Sequence, residues 1–411
     1  MRGRDLEVVA AWRDAASVAG PAWMAEPRRM AWAALATLGF PGPGDEAWRF
    51  TPGRSLSSPA LPVAGGGALP AAARWWSAID ADRIVFVNGQ VDRAASTVDL
   101  AWGARSSAPA DGAFGAVVDA AAGGFDALNL ATASDGVWTV RASGSRPLLL
   151  VHRTAADGVL VPVRHRIVVP PGASAEVYAV WEGAGTALVS GVTEVEVGDG
   201  AQLRWTELQD EPVGVRHVHT WGARVGRDAT VTGIFVQIGA RVARTDVRAS
   251  LGAGSTLRLH GLTLGRDEQH LDVHTTVHHD GPHATSRQHF KTILDGVARG
   301  VFTGRVVVPP GAVGTDASQS APALLLSPRA VANARPQLEI RCDDLKATHG
   351  AAIGAVDPEA AFFLQARGLD ALQARALLTL AFAREVVSVL PEALQGEVEG
   401  RVADWLGAEV G

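Results

Sequence analysis

Four turns at nearly even spacing constrain the fold of this chain more than any other feature. Gly172-Ala-Ser-Ala-Glu-Val, Gly200-Ala-Gln-Leu, Asp228-Ala-Thr-Val and Gly254-Ser-Thr-Leu recur at intervals of 28, 28 and 26 residues, and each feeds a strand-like run. Such a unit buries its apolar face only by stacking on the next copy. The period therefore predicts a β-solenoid or β-helix, since the turns of a Greek-key sandwich are unevenly spaced.

The two-residue period begins near residue 80, where Ile84-Val85-Phe86-Val87 runs into the hairpin dipeptide Asn88-Gly89, and strands are predicted from there to about 346. A Gly/Ala-rich patch at 121–133 is the one helical insertion expected in this stretch. Residues 1–40 read as helix, with Leu6, Val9 and Ala10 and then Met30, Ala33, Ala34 and Leu38 at helical spacing, broken at Pro21 and Pro27. The turn-rich PGPGDEAWRFTPG and a Pro/Ala/Gly-rich linker at 58–73 follow.

Helices return in the tail. Asp357-Pro358 supplies an N-cap acceptor and a proline at the first helical position, and Gly368 closes that helix. Asp370 and Gln373 have capping-box spacing, Leu377, Leu378, Ala381, Val386 and Val389 form a stripe up to Pro391, and Leu394, Val398, Val402 and Trp405 mark a third helix. The expected fold is mainly β: a right-handed parallel β-helix (solenoid) core at 76–346, an N-terminal helical region and linker at 1–75, and a C-terminal helical domain at 347–411.

Composition narrows the function classes. The 411 residues carry a net charge of −6 from mixed signs, with no basic stripe to neutralise phosphates, so nucleic acid is not an expected partner. No apolar stretch reaches the length of a membrane span and the first residues do not read as an export signal, which makes the cytoplasm the expected location. Cys342 is the single cysteine, so this chain alone builds no disulfide and no four-cysteine metal or cluster site. There is no GxxxxGK[ST], no GxGxxG after a strand, no GxSxG and no HExxH, so any ATP hydrolysis belongs to a partner.

The stretch 299–368 is the most distinctive. It contains GRVVV, TDASQS, ALLLS, RPQLEIRCDDLKATHGAAIG and FFLQARG in that order. Here the chain resembles the SufB/SufD family of iron–sulfur cluster assembly proteins, whose hallmark is similar to GRI-V, TDA-Q, LLLS, KPQLEI-ADDVKCSHGAT-G and FYL-SRGI. Weaker echoes are EAWRFT at 46–51, VFVNGQ at 85–90, ALNLA at 127–131 and HLDVHTTVHHDGPHATSRQHFK at 270–291. With one cysteine, the chain looks like the SufD type. The resemblance implies a non-catalytic scaffold that pairs with a SufB-like subunit and binds a SufC-like ATPase through its C-terminal helices. It implies a transient iron–sulfur cluster shared with SufB, and none held stably by this chain alone.

By the same resemblance, His349 matches the histidine of the family motif and is the candidate cluster ligand at the SufB interface. A neutral imidazole suits iron. The other reading is an imidazole that only hydrogen-bonds between subunits. Asp343 and Asp344 are weaker metal candidates, with Lys346 they complete the expected interface group, and a solvated charge cluster is the alternative. Phe362, Phe363, Leu364 and Arg367 are the expected SufC contacts. The chain departs from the motif at Ala347, where the family places a cysteine. Cys342 precedes His349 by an odd number of residues, which on a continuous strand sets the two on opposite faces, and it reads as a small buried hydrophobe.

The histidine run His270, His274, His278, His279, His283 and His289 reads as strand, turn and strand with outward polar faces in preference to a metal site. Of the two lysines, Lys291 and Lys346, each is either a solvated side chain or a point charge retained for a purpose. Two other functions fit the fold: a SufB-like scaffold that forms a homodimer in isolation, and a β-helix enzyme acting on polysaccharides.

Overall fold

The period-two region becomes eighteen strands in the computed structural model of the chain, which describes residues 3–16, 22–42, 44–51, 53–67, 75–97, 115–133, 137–141 and 146–407. They form two sheets. The ten-stranded sheet holds β1 (Asp82–Val87), β2 (Gln90–Val91), β4 (Leu148–Thr154), β6 (Ser174–Gly183), β8 (Gln202–Gln209), β10 (Thr230–Gln237), β12 (Thr256–Gly265), β14 (Thr285–Leu294), β16 (Thr315–Leu325) and β18 (Leu345–Ala355). The eight-stranded sheet holds β3 (Val137–Arg141), β5 (Val159–Val169), β7 (Ala187–Val197), β9 (Arg216–Val225), β11 (Val242–Leu251), β13 (His270–His279), β15 (Arg299–Val308) and β17 (Val331–Ile340). From β3 to β18 the chain alternates between the sheets, β4 pairs parallel with β1, and from β5 onward each strand pairs parallel with the strand two places back. This is a parallel β-solenoid.

The repeat seen in the sequence is the turn that opens each coil of the larger sheet. Gly172, Gly200 and Gly254 sit at φ 68, 65 and 68° and Asp228 at 55°, the left-handed region in which glycine costs nothing and aspartate is tolerated. The residues they feed are in register: Ser174 beside Gln202, Gln202 beside Thr230, Thr230 beside Thr256. His283 (φ 58°) and Gly314 (φ 69°) continue the series. Between the sheets lies one apolar core that includes Ile84, Leu150, Val177, Trp205, Trp221, Phe235, Leu259, Val277, Phe290 and Phe302.

Helices cover both outer faces. On the smaller sheet, α2 (Ala25–Leu38), α3 (Gly53–Leu56) and α4 (Gly124–Thr132) pack Leu35, Leu56 and Leu128 against Leu160, Leu188 and Val218. The helix α1 (Gly3–Ala15) is tied in by Trp12 Nε1, which donates to the carbonyl of Ser57 at 2.7 Å. The described part of the expected linker is packed: Leu61 and Ala64 are buried and Val63 bridges Leu160. Pro21 and residues 68–73 lie outside the described residues, as does the side chain of Leu6.

Beneath α4, the fully buried Arg164 and Glu194 form a 2.6 Å ion pair. Arg164 also donates to Asn129 Oδ1 and to the Val118 carbonyl, both at 3.1 Å, while Glu194 accepts from the backbone N–H groups of Gly115, Val117 and Val118.

On the larger sheet, α6 (Ala371–Val387) and α7 (Glu392–Leu406) bury Ala383, Val386, Val398 and Val402 against Ile234, Leu262 and Ile293. The Asp370–Gln373 capping box opens α6. Lys291 is buried under α6, donating to the Phe382 carbonyl at 2.9 Å and pairing with Glu385 at 2.7 Å. It is therefore a fastener and not a solvated lysine. No helix among the described residues is long and apolar enough to cross a membrane.

Two expectations are corrected. His279 does not face outward: it shares the inward face of Val273 and Val277, is fully buried, and lies 2.9 Å from Ser286 Oγ. His270 and His274 are outward but covered, His270 lying 3.0 Å from Thr51 of the N-terminal segment. The β-region also continues past 346, because β18 runs to Ala355.

Burial has a pH consequence. It pushes the His165 imidazole down to about 3, with the charge of His219 adding to the effect, and the His279 imidazole to about 4. An unfolded chain protonates both near 6.5, so between 6.5 and about 4 the unfolded state binds more protons and acidification destabilises the fold. Each group contributes about 1.4 kcal/mol per pH unit, and the His279 part saturates below its folded value. The unfolding midpoint of His279→Gln, measured by circular dichroism from pH 7 to 4, is expected to fall less steeply than that of the parent chain.

Candidate functional site at the open end of the solenoid

The solenoid is covered on its flanks but not at its C-terminal end. β17 and β18 are the last strands of their sheets, and each pairs on one side only. A strand with one row of unpaired N–H and C=O groups is a template for another chain. Here two such edges adjoin.

Parallel register identifies what the last coil presents. On β17, Ala332, Ala334, Pro336, Leu338 and Ile340 stack over the inward positions of β15, and on β18, Leu345, Ala347, His349, Ala351, Ile353 and Ala355 stack over those of β16. His349 is the single polar side chain among them, and it is exposed. Ile340 and Ile353 are 43% and 50% exposed, an unusual state for residues on the core face of a sheet.

Under His349 the core turns polar. Its register partner is Gln319, and that of Gln319 is Gln288. Gln288 Oε1 accepts a 2.6 Å hydrogen bond from Thr275. Gln319 is buried, and neither its Oε1 nor its Nε2 has a partner among the described residues. Gly304 makes room for it, since a Cβ there would stand 2.7 Å from Gln319 Nε2. An unpaired buried amide costs about 1–3 kcal/mol, so a column of glutamines ending at an exposed imidazole is a feature retained against stability.

The other expected residues lie nearby. Lys346 is on β18 and exposed, and Asp343 and Asp344 are exposed in the turn before it. Cys342 is in that same turn, so strand alternation does not relate it to His349. It is half-buried and packs with Val306, Val308, Leu338 and Ala347. Phe362, Phe363, Leu364 and Arg367 belong to α5 (Pro358–Gln365) and the turn after it. Phe362 and Phe363 are 71% and 55% exposed, Leu364 is half-buried, and the Arg367 guanidinium covers the Phe363 ring at 3.4 Å.

Residues 152–382 match the family model described as SUF system FeS cluster assembly, SufBD core domain, which takes in more than half of the chain. The chain belongs to the SufBD family. Among curated proteins, the chain is similar to the iron–sulfur cluster assembly protein SufD of Escherichia coli, with 31% identity over 270 residues, 64% of each chain. It is 34% identical over 209 residues to the SufBD family protein slr0076 of Synechocystis, covering 50% of this chain and 46% of that one. Protein ABCI7, chloroplastic, of Arabidopsis thaliana shares 35% identity over 202 residues, 49% and 42% of the two chains. The chain thus spans about half the length of the curated relatives it matches. The family match covers both the glutamine column and His349.

Sequence reading missed a second polar group, inside the solenoid, where Glu207, His217 and His219 converge. The signal was His217-Val218-His219, since alternate residues of a strand share a face.

Proposed function

We propose that this chain is a SufD-type, non-catalytic scaffold subunit of an iron–sulfur cluster assembly complex. In this reading a SufB-type subunit docks on β17 and β18, and a nascent cluster is held as cargo between the subunits with His349 as one ligand. The supporting observation is the open coil itself: two unpaired strand edges, a nearly continuous apolar cross-section and one imidazole in it. A partner that continues both sheets satisfies the edges and covers Ile340 and Ile353. With one ligand from this side, the set is completed only across the joint, so opening the joint releases the cargo. Asp343, Asp344 and Lys346 would then flank the joint.

A SufC-type ATPase would dock on α5, where Phe362 and Phe363 are exposed and Arg367 lies against the Phe363 ring. ATP-driven movement of that partner would reach the open coil through the short connection from Ala355 to Pro358.

The docking reading is tested by a double variant, Ile340→Asp with Ile353→Asp. Both residues are half-exposed in the free chain, so its unfolding midpoint should hardly move. In the complex two unpaired carboxylates would be buried, and co-purification with a SufB-type partner should weaken by about 30-fold or more, the scale of an interface hot spot. Unchanged co-purification would place the interface elsewhere. A homodimer lost in the same variant would support self-pairing of the open ends.

A further inference from the structure

We propose that Glu207, His217 and His219 bind one divalent first-row transition-metal ion inside the solenoid, where it ties β8 to β9. One ligand atom from each of the three residues lies within 4.8 Å of the others, and all three side chains are buried. Two imidazoles and a carboxylate are the donor set of mononuclear zinc and ferrous sites.

The surroundings orient each donor. Glu211 Oε2 lies 2.7 Å from His217 Nδ1 and is itself held by Gln209 Nε2 at 3.0 Å. The Glu211–His217 approach lacks hydrogen-bond geometry, and neither His217 nitrogen has a hydrogen-bond partner among the described residues. Thr193 Oγ1 is hydrogen-bonded to His219 Nε2 at 3.1 Å, and His219 Nδ1 is hydrogen-bonded to Glu207 Oε1 at 2.9 Å, the contact that an ion between them would replace. An imidazole with one nitrogen engaged by an outer oxygen and the other beside a further ligand atom is the arrangement of a metal-binding histidine, and His219 has it. Without an ion, both buried nitrogens of His217 are uncompensated polar atoms.

The fold also clears space here. Gly191 stands opposite His219 in register, and a Cβ there would come within 2.8 Å of that ring and 3.0 Å of Trp181. Trp181 lies edge-on to His217 at 5.0 Å and stacks on His152 at 3.9 Å, walling the cluster from the next coil. The amide oxygens of Gln209 and Gln237, register partners in adjacent coils, are buried without partners and are further oxygen donors on the same inward face. The site lies several coils from His349, so the ion is a staple of the scaffold and not the cargo.

The test uses the full chain, produced with Co(II) in the growth medium and purified through a chelator. The expected result is one equivalent of cobalt per chain, visible absorption bands of an N/O-ligated ion, and a higher unfolding midpoint than the cobalt-free chain. Glu207→Gln and His219→Gln should each lose the bands and the retained cobalt. Thr193→Val should weaken retention by about 10–100-fold, as loss of an outer hydrogen bond does. His283→Gln, in a turn outside the cluster, should retain cobalt like the parent. A parent chain that keeps no cobalt after the chelator overturns the proposal even if the variants fail to fold. Equal retention by Glu207→Gln and the parent overturns it as well.

Discussion

Replacing Arg164 with alanine is expected to lower the unfolding free energy by about 3–5 kcal/mol, the cost of removing one partner from a buried ion pair. Arg164 and Glu194 are both inaccessible, and the carboxylate would lose its 2.6 Å countercharge with no water to replace it. The loss would spread, because Arg164 also holds Asn129 of α4 and the Val118 carbonyl. The three backbone N–H groups on Glu194 fix the carboxylate in place but supply only partial charge. The comparison is Arg305, which forms a two-bond pair with Glu339 at 2.7 Å on the surface, where each side chain is more than 40% exposed. Water takes over there, so Arg305→Ala should cost under about 1 kcal/mol. Urea unfolding of the two variants at pH 7 measures the contrast. Equal costs would mean that the buried pair is not what seats α4 on the solenoid.

The outline of the fold was legible because solenoid turns need a left-handed residue at a fixed place in each coil. Gly172, Gly200, Asp228 and Gly254 meet that need visibly. The next member, His283, was hidden because a histidine occupies the position and the interval lengthens. The C-terminal helices were legible from their caps, Asp357 with Pro358 and Asp370 with Gln373. What the sequence did not yield is the direction of polar residues inside the coil.

Reading by pattern places apolar residues inward, and Glu207, His217, His219, His279, Gln288 and Gln319 break that rule. Their inward position follows from neighbours in other coils, 28 to 31 residues away: Gln237 beside Gln209, Gln319 beside Gln288, His349 beside Gln319. The parity argument for Cys342 holds only along a continuous strand, and the chain turns between β17 and β18, so it does not relate Cys342 to His349. His349 itself came from the family resemblance. Its place in the fold, alone among small apolar residues at an open coil, is a structural finding.

The most direct test of the scaffold reading is the His349→Ala variant produced together with SufB-type and SufC-type subunits and purified without oxygen. His349 lends no buried contact to its own chain, being exposed on an edge strand, so the variant should fold and the complex should form in the same stoichiometry. Removing one ligand from a set shared between two chains should reduce retained iron and sulfide by at least about tenfold, the scale on which even outer-sphere losses weaken metal binding. A complex that forms normally and carries the parent's iron and sulfide would contradict the account, leaving His349 as an interface residue and the cluster held by the partner alone.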